Sequence, residues 1–132
     1  MAYSPALVAQ RLGAFLGLLG VILGAFAAHA LKPVLLRNGT VEVWHTAVFY
    51  QFVHALAMLA LGQGAKVRMG PLVCWGVGVF LFCGSLYLLA AEPTQIWAGP
   101  ITPLGGTALI VGWGWLLFDL CTGGKSDPKS SR

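Results

Sequence analysis

Gln51 and His54 lie three residues apart in a segment almost free of charge, so a helix there would carry a carboxamide and an imidazole on one face. His29 and Tyr87 stand in similar apolar surroundings. Polar side chains in such settings are the first place to look for function. These four residues, His29, Gln51, His54 and Tyr87, are the candidate functional set. The chemistry they could carry is proton relay, contact with a quinone, or haem ligation. A bis-histidine haem needs two imidazoles at matched depth on facing helices. His29 ends one apolar segment, whereas His54 lies about ten residues into the next, and at about 1.5 Å per residue the two differ in depth by roughly 13 Å. That pair therefore fails. The alternative is structural: Gln51 and His54 hydrogen-bond to a carbonyl or hydroxyl of a neighbouring helix, for example at Ser85 or Tyr87. Such bonds contribute about 0.6 kcal/mol on average and up to nearly 2. We favour this second reading, because isolated polar residues in apolar bundles commonly serve as glue.

Other combinations carry less. His29 and His45 could hold a metal with Glu42, but no metal-ligand spacing links them, and neither a metal nor another cofactor is expected. The cysteines, Cys74, Cys83 and Cys121, form no C-x-x-C pair, and their odd count argues against a disulfide framework. Cys74 and Cys83 face opposite ways on a helix, and all three are read as buried, inert thiols. No G-x-G-x-x-G follows a strand or opens a soluble helix, so no phosphate cradle is expected. No catalytic motif is found.

The elements that position these residues are set by charge. Of 132 residues, 58% are hydrophobic and 9% charged, against about 25% charged in an average soluble domain. Four windows, 12–31, 43–65, 69–91 and 93–118, contain no charge at all. Each meets the roughly 20 residues that a helix needs to cross about 30 Å of hydrocarbon. The sequence therefore predicts an all-α protein, a four-helix transmembrane bundle, in one domain over 1–121. Its helices fall at about 8–31, 44–62, 71–91 and 103–121, and a disordered cytoplasmic tail follows over 122–132. Ser4-Pro5 reads as a cap followed by proline at the first helical position. Residues 32–43 read as a polar loop with a turn at Asn38-Gly39, where Asn38-Gly39-Thr40 also forms an idle glycosylation sequon. Glu92-Pro93 stops the third helix. Trp44, Trp75, Trp97 and Tyr3 fit interfacial belts, and Trp113 and Trp115 read as packing residues. Arg11, an apolar run and Ala28-His29-Ala30 also resemble a signal peptide, but the run is longer than such segments and dense in glycine.

Four crossings put the N-terminus, the middle loop and the tail on one side. That side holds Arg11, Lys66, Arg68, Lys125, Lys129 and Arg132, and the other only Lys32 and Arg37. The bias predicts both termini in the cytoplasm, with Asp119 neutralising Arg11 or Arg68. The net charge of +4 sits at helix ends and in the tail. It suits lipid headgroups, and no nucleic-acid partner is expected.

Eighteen glycines suit close helix packing in lipid. Gly13, Gly17, Gly20 and Gly24 make one nearly straight stripe on the first helix, and Gly105, Gly106 and Gly112 offer small faces on the fourth. Leucine at Gly20 or Gly24 should disrupt assembly.

Several blocks in order extend this reading: Gly24-Ala25-Phe26-Ala27-Ala28-His29, Tyr50-Gln51, His54-Ala55-Leu56, Gly84-Ser85-Leu86-Tyr87, Trp97, Thr102-Pro103-Leu104-Gly105-Gly106 and Gly112-Trp113. Together they resemble the small bacterial inner-membrane proteins typified by YgdD and YwdK, a family related to eukaryotic transmembrane protein 256. The resemblance runs from about Arg11 to Phe118 and implies a four-helix membrane protein of unknown function, with no assigned activity, located in the cell inner membrane. It also implies that His29, Gln51, His54 and Tyr87 belong to a family pattern. Three functions are weighed: a non-enzymatic accessory or scaffold component, as a homo-oligomer or within a larger membrane complex; a small oligomeric transporter or channel; and a redox subunit using His29, His54 and Tyr87. The first is favoured by small size, minimal loops and glycine-rich faces. The second lacks a carboxylate in its first three spans.

Overall fold

The computed structural model describes residues 4–64 and 66–123. The chain forms α1 (Pro5–Ala28), α2 (Lys32–Asn38), α3 (Val41–Gln63), α4 (Met69–Ala91) and α5 (Ile101–Thr122), with a 3-10 turn at Ile96–Ala98 before α5. α1, α3, α4 and the segment containing α5 are long and apolar enough to cross a membrane. The expected all-α bundle is present, with no strand among the described residues. The expected tail lies outside the described residues except for Thr122, which closes α5, and Gly123.

The helix boundaries follow local chemistry. Ser4 is extended at φ −68 and ψ 122, and Pro5 supplies the first helical residue, although the Ser4 side chain makes no capping bond. α1 stops at Ala28, three residues before the expected end. The 32–43 loop is likewise corrected, because its first part is a seven-residue helix, α2. Pro33 suits a first helical turn, Leu35 is buried beneath the segment, and Gly39 takes the left-handed φ of 67 that glycine adopts without strain. The Thr40 N–H then reaches the Leu35 carbonyl at 3.0 Å and the Gly39 N–H reaches that of Leu36 at 3.2 Å, the paired bonds of a Schellman end.

The long helices pack in the order α1, α3, α4, α5. α1 and α4 barely meet, and α3 and α5 have no close backbone approach. Met58, Leu72, Trp75, Val79, Cys83 and Leu109 form the larger core, and Ala27, Leu35, Trp44 and Ala90 a second one toward α2. The outward faces stay apolar: Phe80 is 78% exposed, and Ile110 and Phe15 are also open. In water such faces would drive aggregation; against acyl chains they cost nothing.

Side chains tie both ends. At the α2 end, Asn38 Nδ2 donates to the Ala90 and Ala91 carbonyls at 3.3 and 3.1 Å, and the Thr40 hydroxyl donates to Ala90 at 2.7 Å. They satisfy the last carbonyls of α4, which its own helix leaves without partners. At the opposite end, Gln10 Nε2 donates to the Gly62 carbonyl at 3.0 Å, and Arg68 pairs with Asp119 at 3.5 Å.

The glycines divide into two groups. A Cβ at Gly13 would lie 2.7 Å from the Ala55 carbonyl oxygen, and at Gly20 it would lie 3.0 Å from the Phe52 ring. At Gly112 it would lie 2.6 Å from the Trp75 ring, and at Gly105 it would strike the Phe82 backbone. Gly24 and Gly106 have their nearest neighbours at 3.9 and 3.6 Å, an ordinary contact, and Gly17 has nothing within 4 Å. The contact seam of α1 therefore runs through Gly13 and Gly20, seven residues apart. Gly17 is rotated about 40° from Gly13 and about 60° from Gly20 at about 100° per residue.

Candidate functional site

Seven residues of α3 are buried, and Trp44, Ala47, Gln51, His54 and Met58 make the single face expected from their spacing. Gln51 is 2% exposed and joins three helices. Its Nε2 donates to the Leu16 carbonyl on α1 at 2.8 Å, and its Oε1 accepts from the Tyr87 hydroxyl on α4 at 2.8 Å. The Tyr87 ring lies 4.7 Å from Trp44, whose Nε1 donates to the Leu23 carbonyl at 3.0 Å. A buried amide without these partners would pay the full desolvation cost of each end.

His54, also 2% exposed, is held differently. The indole N–H of Trp113 lies 3.0 Å from its Nε2, and the Tyr50 carbonyl lies 2.7 Å from its Nδ1. An indole only donates, so Nε2 carries the lone pair and Nδ1 the proton. The ring is thus a neutral imidazole of one tautomer, with both nitrogens engaged. Trp75 and Trp113 meet it edge-on at 6.1 and 6.0 Å, and Tyr50 stacks over it at 6.3 Å. A third link joins Ser85 on α4 to Thr102 on α5, their hydroxyls 2.7 Å apart, with Ser85 also donating to Phe82 at 2.9 Å.

Of the candidate residues, the structure joins Gln51 to Tyr87 directly, as the structural reading expected. It gives His54 neither Ser85 nor Tyr87 but Trp113, so Trp113 does more than pack. His29 is exposed at the end of α1, its backbone N–H bonded to the Ala25 and Phe26 carbonyls, whereas Gln51 and His54 are buried within the bundle. The grouping of His29, His45 and Glu42 does not form: among the described residues, no three His, Cys, Asp or Glu side chains are placed to hold a metal ion. Trp75 is corrected from belt to core: it is 1% exposed, and its Nε1 has no partner among the described residues. Only Cys83 is buried, while Cys74 is half-buried and Cys121 exposed. Tyr3 lies outside the described residues. Gln10 had no signal beyond being a lone polar residue near a helix end, and Thr102 stood out only as part of the block Thr102-Pro103-Leu104-Gly105-Gly106.

Residues 23–106, from the last turns of α1 into α5, match the family described as "Protein of unknown function (DUF423)". The match contains Gln51, His54, Ser85 and Tyr87. The chain belongs to that family. It is 41% identical over 110 residues to the UPF0382 membrane protein YwdK of Bacillus subtilis (strain 168), covering 77% of this chain and 86% of that protein. To a UPF0382 membrane protein of Haemophilus influenzae it is 39% identical over 103 residues, covering 74% and 80%. To the UPF0382 inner membrane protein YgdD of Escherichia coli (strain K12) it is 38% identical over 108 residues, covering 76% and 79%. No solved structure matches the chain. With relatives named as membrane proteins and four helices fit to span, this family member is a multi-pass membrane protein.

Proposed function

We propose that the protein is a non-enzymatic accessory or scaffold component of the cell inner membrane, with both termini in the cytoplasm. The observation that supports this reading is how the buried polar groups are spent. Nε2 of His54, both ends of the Gln51 amide, and the Ser85 and Tyr87 hydroxyls are engaged in bonds between helices, and Nδ1 of His54 is bonded within α3 to the Tyr50 carbonyl. A general acid or base needs a group free to meet a substrate, and this cluster offers none at rest. What the molecule presents outward is apolar helix surface, with Phe80, Ile110 and Phe118 all open. Such faces suit other helices, either of a larger complex or of further copies. The orientation rests on lysine and arginine placement, six on the side of the termini against two.

The test is purification of the tagged full chain from its native membrane in mild detergent, followed by mass spectrometry. Other membrane proteins in fixed proportion, or a defined homo-oligomer, are the expected result. A chain that elutes alone, together with an ion or solute flux in liposomes that His54→Ala abolishes, would replace the accessory reading with transport.

A further inference from the structure

A groove of about 630 Å³ runs between α1 and α4, with α3 as its floor, and opens along one side. It exists because α1 and α4 both pack on α3 but scarcely on each other. Gly76 and Gly84 deepen the α4 wall: a Cβ at Gly84 would meet nothing within 4 Å, and at Gly76 only Leu12, at 3.7 Å. Gln51 and Tyr87 reach the floor, but their polar atoms are bonded to each other and to Leu16, so the lining is hydrocarbon. That excludes a ligand needing polar recognition inside the groove and fits a saturated chain. From Val8 to Leu23 the α1 wall runs about 22 Å at about 1.5 Å per residue. One leaflet of hydrocarbon is about half of about 30 Å. A single acyl chain therefore fits lengthwise.

Charge says which lipid. Arg11 is exposed and lies three residues after Val8 and four before Phe15, both of which line the groove, so it shares their face at the end bearing Ser4. That end carries Arg11, Lys66 and Arg68 against Asp119 alone among the described residues, and Asp119 is already paired with Arg68. We propose that the α1–α4 groove binds one acyl chain of an anionic glycerophospholipid whose phosphate is held at Arg11. The guanidinium offers the forked donors that suit a phosphate, and the glycine-deepened wall supplies close contact along the chain. This inference does not depend on the accessory role.

The experiment is native mass spectrometry of the full chain in detergent, with palmitoyl-oleoyl phosphatidylglycerol and phosphatidylcholine supplied in turn. The wild type should retain one phosphatidylglycerol per chain and hold phosphatidylcholine more weakly. Gly84→Leu, which fills the groove, should lose both lipids. Gly114→Leu, equally unhindered at its Cβ but on α5 away from the groove, should retain them. Arg11→Gln should keep a lipid and lose the preference for phosphatidylglycerol. Circular dichroism confirms that each variant is folded. Equal retention by Gly84→Leu and wild type, no retained lipid, or a dimer that Gly84→Leu dissociates would each overturn the proposal, the last by putting a second copy in the groove.

Discussion

The indole N–H of Trp113 on α5 reaches Nε2 of His54 on α3 at 3.0 Å, bridging two helices whose backbones do not approach each other. The bridge passes beside α4, where the Trp75 ring lies tilted against Trp113 at 4.6 Å. α5 is thus held by more than its contact with α4, and the bond to His54 joins the Ser85–Thr102 and Arg68–Asp119 links in setting its rotation about its own axis.

That bond should be measurable as a coupling energy. His54→Phe alone leaves the Trp113 N–H without an acceptor, and Trp113→Phe alone leaves Nε2 without a donor. The double variant removes both costs. A double-mutant cycle, with unfolding followed by circular dichroism in mixed micelles, should give a favourable coupling of about 0.6 kcal/mol and no more than about 1.7. Additive single effects would mean that the two rings only pack.

The sequence made α3 easy to read because two independent signals agreed. Its window lacks charge, and the spacing of Trp44, Gln51, His54 and Met58 selects one face. The Gln51–Tyr87 link was also legible, since both are polar groups that the membrane leaves few partners. Trp113 was not. Tryptophan is chiefly apolar area, and nothing in its own segment reveals that its single donor meets an imidazole 59 positions away. α2 was hidden for another reason: the Asn-Gly signal is equally that of a turn and of a helix end, and burial of Leu35 by tertiary packing decided between them. The glycine stripe was half legible, because sequence spacing gives an angle on the helix but not the width of the seam that a neighbour covers.

Glycine substitutions on α1 should therefore split, not fall together. Gly13→Ala places a methyl against the Ala55 carbonyl, where backbone must move, and should lower the melting temperature in detergent clearly. Gly17→Ala meets nothing within 4 Å and Gly24→Ala only an ordinary contact with Val48. Both should leave the melting temperature unchanged or raise it, since alanine favours the helix by up to about 1 kcal/mol over glycine. Equal losses at the three positions would show that the seam is wider than Gly13 and Gly20, with an external helix against Gly17.

The two ends of the bundle should meet different compartments. The hydrogen bonds group the loops into two sets, with Gln10, Gly62, Arg68 and Asp119 tied at one end and Asn38, Thr40 and Ala90 at the other. Reporter fusions at the two termini and near Lys66 should therefore agree with each other and be opposite to fusions near Asn38 and Pro100. The charge bias assigns the first group to the cytoplasm, because lysine and arginine in short loops resist translocation. Lys66 and Arg68 sit in the shortest connection between the long helices and lie just before α4, so replacing both with Gln should weaken the orientation more than replacing Lys125 and Lys129 in the tail. A Lys66 reporter in the same compartment as Pro100 would mean that α4 does not cross, and the Gln51–Tyr87 bond could not then lie inside a membrane.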